Sequence, residues 1–345
     1  MASHKIRVIQ FGLGPIGQSC IRTMLSKDFA IDLVGAIDID PDKVGHDVSD
    51  ILGLEKPIGV VISPDAAKTL ADSRPDIVVH TTTSFLDRMY DQLMLCARAG
   101  VNVISSTEEL SYPFDRYPEL ARELDAVARE NVVSILGTGV NPGYAMDALA
   151  LMATGVCTEV FKIEVNRVVD AGLRRLPLQL KVGARLSVDE FNEKKAAGTL
   201  GHIGLVESVR LVADGLGWPL DRIDEQLEPV VSDRQVVTPY LTVEEGQVAG
   251  IHHSAKGYIR DNCVLDLDLK MYVGAEEPRD AVLVTGDPPM DLVVRGGIFG
   301  DTATVATLIN GIPSVLNATP GLKTVKDVPV LRAFGTKWMR EAVGV

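Results

Sequence analysis

The chain has 345 residues, of which 46% are hydrophobic and 23% charged, a composition typical of a soluble globular protein. Its length predicts two domains, or one domain with a large insertion. Its formal net charge of −13 argues against partners that carry many negative charges, so we expect it to bind neither nucleic acid nor an anionic membrane surface.

The first third of the chain alternates short apolar runs with longer helical patterns. We predict helices over 15–27, 86–99 and 117–132, and strands over 5–12, 31–40, 58–62, 75–84, 101–106 and 132–143, the last with its exit loop. Alternation of this kind is typical of a parallel sheet that helices cover on both faces.

A glycine-rich hexapeptide, "GLGPIG", lies between the first strand and the first helix. Gly12 permits a tight turn, Gly14 lets the backbone approach a pyrophosphate, and Gly17 permits close packing of helix on strand. Pro15 and Ile16 complete the motif at the helix N-terminus, which stabilises an anion. This placement predicts a Rossmann dinucleotide-binding domain, and the alternative is a glycine-rich turn that binds no ligand.

Asp38 stands at the end of the second strand, about 20 residues beyond the glycines. A carboxylate at this position accepts hydrogen bonds from an adenosine ribose and repels a 2′-phosphate, which favours NAD over NADP. Asp40 is close by and Lys43 could shift toward a phosphate, so use of NADP stays open. The alternative is that Asp38 or Asp40 only caps a turn.

Two loops that leave predicted strands carry further candidates for cofactor binding. "HTTTS", after the fourth strand, supplies the hydroxyl groups of Thr81, Thr82 and Thr83. "GTGVNPG", after the sixth, supplies small residues beside which a nicotinamide ring fits, and Asn141, whose amide can donate to and accept from the ring's carboxamide. Either loop could instead be ordinary turn chemistry.

The segment "ISSTEELSYP" places two adjacent acids, Glu108 and Glu109, just after the fifth strand. Adjacent like charges repel and are usually solvated, yet this edge of a parallel sheet is where ligands bind. The sequence leaves three alternatives open: Glu108 is the working acid, Glu109 is the working acid, or both lie on a solvated loop tip near Tyr117.

Beyond about residue 155 the pattern changes to the alternation of half-buried strands, within 159–170, 262–274 and 280–286. Helices are predicted over 201–218, ending at Gly215 or Gly217, and over 301–316. We therefore predict an α/β chain in two parts. A Rossmann domain covers 1–142, an α+β substrate-binding and dimerisation domain with a mainly antiparallel sheet covers 143–316, and a segment from about 317 to 345 packs back on the first domain.

The four cysteines, Cys20, Cys96, Cys157 and Cys263, lie far apart and share no metal-like spacing. We expect them to be reduced thiols and expect no metal site. The N-terminus runs straight into a strand and lacks the apolar core of a signal peptide. No stretch approaches the roughly 18 uncharged apolar residues of a membrane span. A cytoplasmic protein is the expectation.

Several motifs resemble one family: "FGLGPIG", "NVISSTEELSYP", "GTGVNPGYAMD" and "FGDTATVATLINGIPSVL". They resemble those of the 2,4-diaminopentanoate dehydrogenases and native amine dehydrogenases, whose N-terminal domain is dihydrodipicolinate reductase-like. The resemblance runs over essentially the whole chain, and "TEELSYP" and "GTGVNPG" are its most specific parts. It implies reversible conversion of a ketone or aldehyde plus ammonia into a primary amine, with NAD or NADP as cofactor. It also implies a homodimer with the second domain's sheet at the interface.

The resemblance places the catalytic glutamate at the first acid of "EEL", which is Glu108, and leaves Glu109 facing solvent or a backbone amide. The chemistry agrees with this placement. Reductive amination needs ammonia as its free base, and it needs water expelled from a carbinolamine. A carboxylate whose pKa is raised in a desolvated cleft can take a proton from ammonium and return one to the leaving hydroxyl.

We expect the substrate pocket to be completed by Tyr144, Arg167, Gln179, His202 and His253, although a single Arg or His is more often a surface or supporting residue. Arg167 with one histidine could hold the carboxylate of an amino-oxo acid. A pocket without such a cation would prefer simple ketones and aldehydes, and the sequence does not decide between these substrates.

Two other functions remain open at this point. "IHHSAKG" resembles the paired histidines and lysine of dihydrodipicolinate reductase, but that enzyme's Asp-Ala-Pro-Ser-Gly-Thr segment is missing. The second alternative is a non-catalytic NAD-binding sensor. A sensor needs no carboxylate facing the nicotinamide, whereas an amine dehydrogenase does.

Overall fold

The computed structural model of the chain describes residues 5–342. Its N-terminal part alternates strands and helices. In chain order these are β1 (Ile6–Phe11), α1 (Pro15–Leu25), β2 (Ile31–Ile37), α2 (Val48–Leu52), β3 (Ile62–Ser63), α3 (Ala66–Ser73), β4 (Ile77–His80), α4 (Leu86–Arg98), β5 (Asn102–Ser105), α5 (Pro118–Glu130) and β6 (Ser134–Gly137). A short 3₁₀ helix, Glu108–Ser111, lies between β5 and α5.

The middle of the chain begins with helices around one strand and continues as a run of strands. Its elements are α6 (Ala148–Thr154), β7 (Glu159–Asp170), α7 (Leu176–Lys181), α8 (Val188–Ala196), α9 (Leu205–Leu216), β8 (Arg222–Val231), β9 (Val236–Val237), β10 (Thr242–Val243), β11 (Val248–Ile259), β12 (Asn262–Tyr272), β13 (Arg279–Asp287) and β14 (Met290–Arg295). The last described elements are α10 (Gly300–Leu316), β15 (Gly321–Lys323) and α11 (Lys337–Ala342).

A parallel sheet of seven strands, ordered β15-β6-β5-β4-β1-β2-β3, organises the first part. All four residues of β4 are buried, as expected for a strand covered on both faces. The strand order reverses between β1 and β4, and ligands of such sheets bind at the carboxyl edge beside this reversal. The loops after β1, β2, β4, β5 and β6 all leave from that edge.

A second sheet, of six strands ordered β14-β13-β7-β12-β11-β8, organises the middle part. Every neighbouring pair is antiparallel except β7 with β12. Alternate residues such as Ile163, Leu267 and Val282 are fully buried, and α6 and α9 pack on this sheet. The predicted fold class, a Rossmann sheet with a second, mainly antiparallel sheet, is confirmed.

The chain divides into two compact units. One runs up to Gly143 and resumes at Gly300, and the other is Tyr144–Phe299. The structure therefore corrects the predicted place of the helix over 301–316, because α10 belongs to the first unit and packs against β4, β5, β6 and α1. A Cβ at Gly311 of this helix would lie 2.5 Å from the Ile104 side chain, which shows how closely α10 approaches β5.

The segment after α10 also belongs to the first unit. β15 extends the parallel sheet by pairing with β6. Further along, Lys27 Nζ donates hydrogen bonds to the carbonyl oxygens of Phe334 (2.7 Å) and Gly335 (2.9 Å).

The third strand is shorter than the sequence predicts. The Asp47 carboxylate, which caps α2, accepts hydrogen bonds from the backbone N–H groups of Ile58 (3.1 Å) and Gly59 (2.8 Å). These bonds hold the predicted start of the strand in a turn, and β3 begins only at Ile62. Hydrogen bonding by Ser49 and these amides lowers the pKa of Asp47 to about 2. Within the described residues, no helix has the length and apolar character needed to cross a membrane.

Candidate functional site

The glycine-rich loop after β1 is packed tightly at two of its glycines and open at the third. Gly12 has a φ of +90°, and a Cβ there would lie 2.6 Å from the Thr81 carbonyl oxygen. A Cβ at Gly17 would lie 1.9 Å from the Gly12 carbonyl oxygen. Around Gly14, in contrast, a Cβ would meet nothing within 4 Å. The loop thus leaves room above Gly14, where the fingerprint places a pyrophosphate.

The N-terminus of α1 suits an anion. Gly14 is its N-cap and supplies no capping side chain, Pro15 and Ile16 follow, and the first turn contains no acid. The helix has 11 residues, and its N-terminal dipole would stabilise an anion bound beside Gly14. The residues present therefore fit a dinucleotide.

Asp38 follows β2 and anchors the loops around it. Its carboxylate accepts hydrogen bonds from the backbone N–H of Leu13 (2.6 Å) and of Asp40 (2.9 Å). Lys43 Nζ lies 3.5 Å from Asp38 and 2.9 Å from Asp40. Burial works to lower the pKa of Lys43, but the two carboxylates outweigh it and raise that pKa. Asp38 thus does cap local structure, and a carboxylate has further acceptor positions for a ribose hydroxyl.

The three threonines after β4 hold different positions. Thr81 donates to the Gly12 carbonyl oxygen (2.9 Å) and accepts from Gln10 Nε2 (2.8 Å), so it braces the glycine loop. Thr82 is exposed, and its hydroxyl donates to Gln92 Oε1 (3.2 Å). Thr83 offers its carbonyl oxygen to the Thr107 hydroxyl (2.7 Å).

Glu108 and Glu109 begin the 3₁₀ helix, and their side chains have different surroundings. Glu109 is 1% exposed, and its carboxylate accepts a hydrogen bond from Leu86 N, at the start of α4 (2.8 Å). Arg116 Nη1 lies 3.2 Å from the same carboxylate. Glu108 is half-buried at the first position of the 3₁₀ helix. The pair therefore does not form a solvated loop tip, because Glu109 is used to hold the N-terminus of α4.

The loop after β6 is compact and close to the acidic turn. A Cβ at Gly137 would lie 2.6 Å from the Leu110 backbone, and one at Gly143, whose φ is +121°, would lie 2.3 Å from Gly139 N. Asn141 is 8% exposed within this loop. Only glycine, which has no Cβ, permits these close approaches. Asn141 belongs to this loop after β6, and Glu108 follows β5, so both residues leave the same edge of the sheet.

Two residues predicted for the substrate pocket, Arg167 and Gln179, have partners within the second unit. Arg167 is 2% exposed, forms an ion pair with the buried Asp280, and donates to the Ile298 carbonyl oxygen (2.9 Å). Gln179 is fully buried and donates to the carbonyl oxygens of Gly172 and Arg174 (3.1 and 2.8 Å). Both side chains are therefore held by partners in their own unit.

The other three predicted pocket residues differ in their surroundings. His253 is 4% exposed, and its Nε2 lies 2.9 Å from the Glu225 carboxylate. His202 is half-buried in the turn before α9, and Tyr144 is half-buried at the start of the second unit. All three residues stay predictions for the pocket.

His80, the first residue of "HTTTS", is a buried polar residue that was not among the predicted site residues. It is fully buried at the end of β4, within hydrogen-bonding distance of Ser105 and Gln92. Burial lowers its pKa from the ordinary 6.5 to about 4, so the ring is neutral at physiological pH. The available signal was a histidine at the end of an otherwise apolar strand.

Comparisons with known proteins give a consistent result. A family model described as the 2,4-diaminopentanoate dehydrogenase C-terminal domain matches residues 144–343. The chain is 34% identical over 341 residues to the 2,4-diaminopentanoate dehydrogenase of Acetoanaerobium sticklandii, covering 96% of this chain and 95% of the relative. It is 24% identical over 362 residues to an amine dehydrogenase of Streptomyces virginiae, with 96% and 98% coverage. The solved structure of the amine dehydrogenase from Mycobacterium smegmatis superposes with a TM-score of 0.85 at 26% identity, over 97% of this chain and 99% of that chain.

Proposed function

The chain belongs to the 2,4-diaminopentanoate dehydrogenase family, and on this premise we propose that it is a nicotinamide-dependent amine dehydrogenase with Glu108 as its acid and base. The observation that carries the residue assignment is the split of the acidic pair. Glu109 is buried against the N-terminus of α4, whereas Glu108 begins the 3₁₀ helix at the carboxyl edge of the Rossmann sheet. Glu108 is thus the member of the pair that is positioned for chemistry.

Glu108 moves protons at two stages of the aminating direction. It takes a proton from ammonium, and the free ammonia adds to the carbonyl carbon to give a carbinolamine. It then returns the proton to the leaving hydroxyl, so water departs and an iminium remains. The negative carboxylate stabilises this cation until hydride reaches its carbon. When bound, the nicotinamide dinucleotide supplies that hydride, or accepts it in the deaminating direction.

The first unit offers groups for each part of the dinucleotide. The backbone at Gly14 and the N-terminus of α1 hold the pyrophosphate, Asp38 accepts from the adenosine ribose, and Asn141 pairs with the carboxamide. Asp38 favours NAD, and Lys43 is the group that would meet a 2′-phosphate. Initial rates at matched concentrations of NADH and NADPH test this preference, and a preference for NADPH would contradict the role given to Asp38.

The substrate is a ketone or aldehyde and the matching primary amine. Since Arg167 is paired with Asp280, it does not supply the cation for a substrate carboxylate. The first compounds to compare are 2-amino-4-oxopentanoate, because of the 34% identical relative, and simple ketones and aldehydes of similar size.

We also propose a homodimer that pairs the exposed faces of the six-stranded sheet. Leu283 and Val293 lie on this face and are 43% and 48% exposed. His252, Lys256 and Asp266 on the same face are only half-buried within one chain. Sedimentation equilibrium tests this, with a monomer at micromolar concentration as the contrary result.

The decisive experiment follows NADH oxidation in the presence of a carbonyl compound, with and without ammonium. Glu108→Gln should lower kcat about 100-fold or more while NADH still binds, as measured by its fluorescence. Glu119→Gln, which changes an exposed acid on α5, is the matched control and should behave as the parent. Turnover of Glu108→Gln within threefold of the parent, or parental rates independent of ammonium, would contradict the proposal.

A further inference from the structure

Buried polar side chains connect the loop after β4 to the loop that carries Glu108. His80, the last residue of β4, has its Nδ1 3.1 Å from Ser105 Oγ and its Nε2 2.8 Å from Gln92 Oε1. Thr82 extends this chain of hydrogen bonds at the Gln92 end, and Thr107 extends it at the Ser105 end. We call these five residues, which all belong to the first unit, the His80 network.

Thr107 is the member that ties the two loops together. Its hydroxyl donates to the Thr83 carbonyl oxygen (2.7 Å), and its backbone N–H donates to Ser105 Oγ (3.2 Å). Thr107 is 1% exposed and directly precedes Glu108. One residue further on, Glu109 N donates to the Ser84 carbonyl oxygen (3.3 Å). The turn that presents Glu108 is therefore bound on both sides to the loop expected to line the cofactor.

His80, at the centre of the network, is neutral at physiological pH. The ring of His80 is fully buried, and this burial lowers its pKa to about 4. A neutral ring has one N–H to donate and one nitrogen to accept, and Gln92 Oε1 can only accept. The ring therefore donates from Nε2 and accepts at Nδ1, which takes the single proton of the Ser105 hydroxyl. Ser105 Oγ stays linked to Thr107 by accepting from its backbone N–H.

We infer that His80, Ser105 and Thr107 are positioning residues that fix the Glu108 carboxylate relative to the hydride-bearing ring. This inference rests on the proposed role of Glu108. The carboxylate must reach nitrogen and then oxygen on one substrate carbon, and a displacement of about 1 Å lowers such rates by roughly 100-fold. A turn that could move independently of the cofactor loop would not hold that distance.

The test is a double-mutant cycle between Thr107→Val and Glu108→Gln. Thr107→Val removes the hydroxyl at nearly constant volume, and it should lower kcat about 10- to 100-fold. The Kd of NADH, from fluorescence, should change less than threefold. In the Glu108→Gln background, Thr107→Val should have no further effect, because the group that it positions is already lost.

Thr307→Val is the matched control. Thr307 is also a buried threonine, but its hydroxyl donates within α10, to Thr304 O (2.9 Å). It should leave kcat within twofold of the parent. If Thr107→Val does not fold, Ser105→Ala, which deletes a single hydroxyl, takes its place in the cycle.

The outcomes separate the two proposals. Full activity of Glu108→Gln overturns the proposed function, and the inference with it. If Glu108→Gln is inactive but the kcat of Thr107→Val equals that of the Thr307→Val control, the inference alone is overturned. Losses that multiply in the double variant also overturn it, since a purely structural role is additive.

Discussion

Replacing Glu109 should destabilise the protein while leaving its chemistry intact, the reverse of replacing Glu108. Glu109→Ala removes the acceptor for Leu86 N, a charged hydrogen bond that contributes about 1.5–3 kcal/mol when buried. It also removes a negative charge from the N-terminus of α4, which contributes about 0.3–1 kcal/mol. The ion pair to Arg116 adds at most about 1 kcal/mol, because the arginine side chain is 57% exposed.

The expected loss for Glu109→Ala is therefore about 3 kcal/mol in the free energy of unfolding. For a unit of this size that corresponds to a fall in Tm of about 6–12 °C. Glu109→Gln keeps an acceptor for Leu86 N and should lose about 1–1.5 kcal/mol. Glu108→Ala, at a half-buried position, should lose about 1 kcal/mol or less.

The assay combines urea unfolding with ammonia-dependent NADH oxidation, measured well below every melting transition. Glu109→Gln should keep kcat within about threefold of the parent, whereas Glu108→Gln loses it. The reasoning is refuted if Glu109→Gln is inactive at parental stability, because Glu109 would then be the acid that works. It is also refuted if the urea concentration at the midpoint of unfolding is the same for Glu109→Ala as for the parent.

Four further predictions concern other parts of the chain. Since burial lowers the pKa of His80 from 6.5 to about 4, the unfolded chain binds a proton first as the pH falls. The free energy of unfolding should drop by about 2 kcal/mol between about pH 8 and pH 5, and urea titrations should show a smaller drop in His80→Gln. Gly14→Ala should keep the parental Tm but raise the Kd of NADH at least about tenfold, because its Cβ occupies only the expected pyrophosphate space. Gly17→Ala should also lower the Tm, because its Cβ would clash within the loop. Arg167→Ala should lose about 3–5 kcal/mol of stability by leaving Asp280 unpaired, with no selective rise in KM for a keto acid over a neutral ketone.

The sequence predicts most of the first unit because its signals are local. The glycine motif, the apolar runs of the parallel strands and the helical periodicities all lie within short windows. The predicted strand bounds are wrong where a carboxylate accepts hydrogen bonds from backbone N–H groups and so ends or delays the strand. The predicted second strand ends early at Ile37, because Asp38 turns back to bind Leu13 N and Asp40 N, and Asp47 removes the start of the third strand in the same way.

Signals in the second unit are weaker, because several of its elements lack simple periodicity. β8, "RIDEQLEPVV", is an edge strand of largely exposed residues, so no alternation marks it. Arg167 was predicted to line the pocket because an arginine can hold a substrate carboxylate. Its partner in the structure, Asp280, lies 113 residues later. Nothing within a local window could reveal that pair. The same limit applies to Gln179, whose amide oxygen accepts from Thr238, 59 residues away.

The assignment of α10 and β15 to the first unit bears on how the chain is made. During synthesis on a ribosome, the seven-stranded sheet lacks its edge strand β15 and the helix α10 until residues 300–323 have been made. The inserted segment Tyr144–Phe299 has all of its own strands by then and can fold earlier. Released chains truncated shortly after residue 299 should thus yield a protease-resistant middle segment preceded by a digestible N-terminal region.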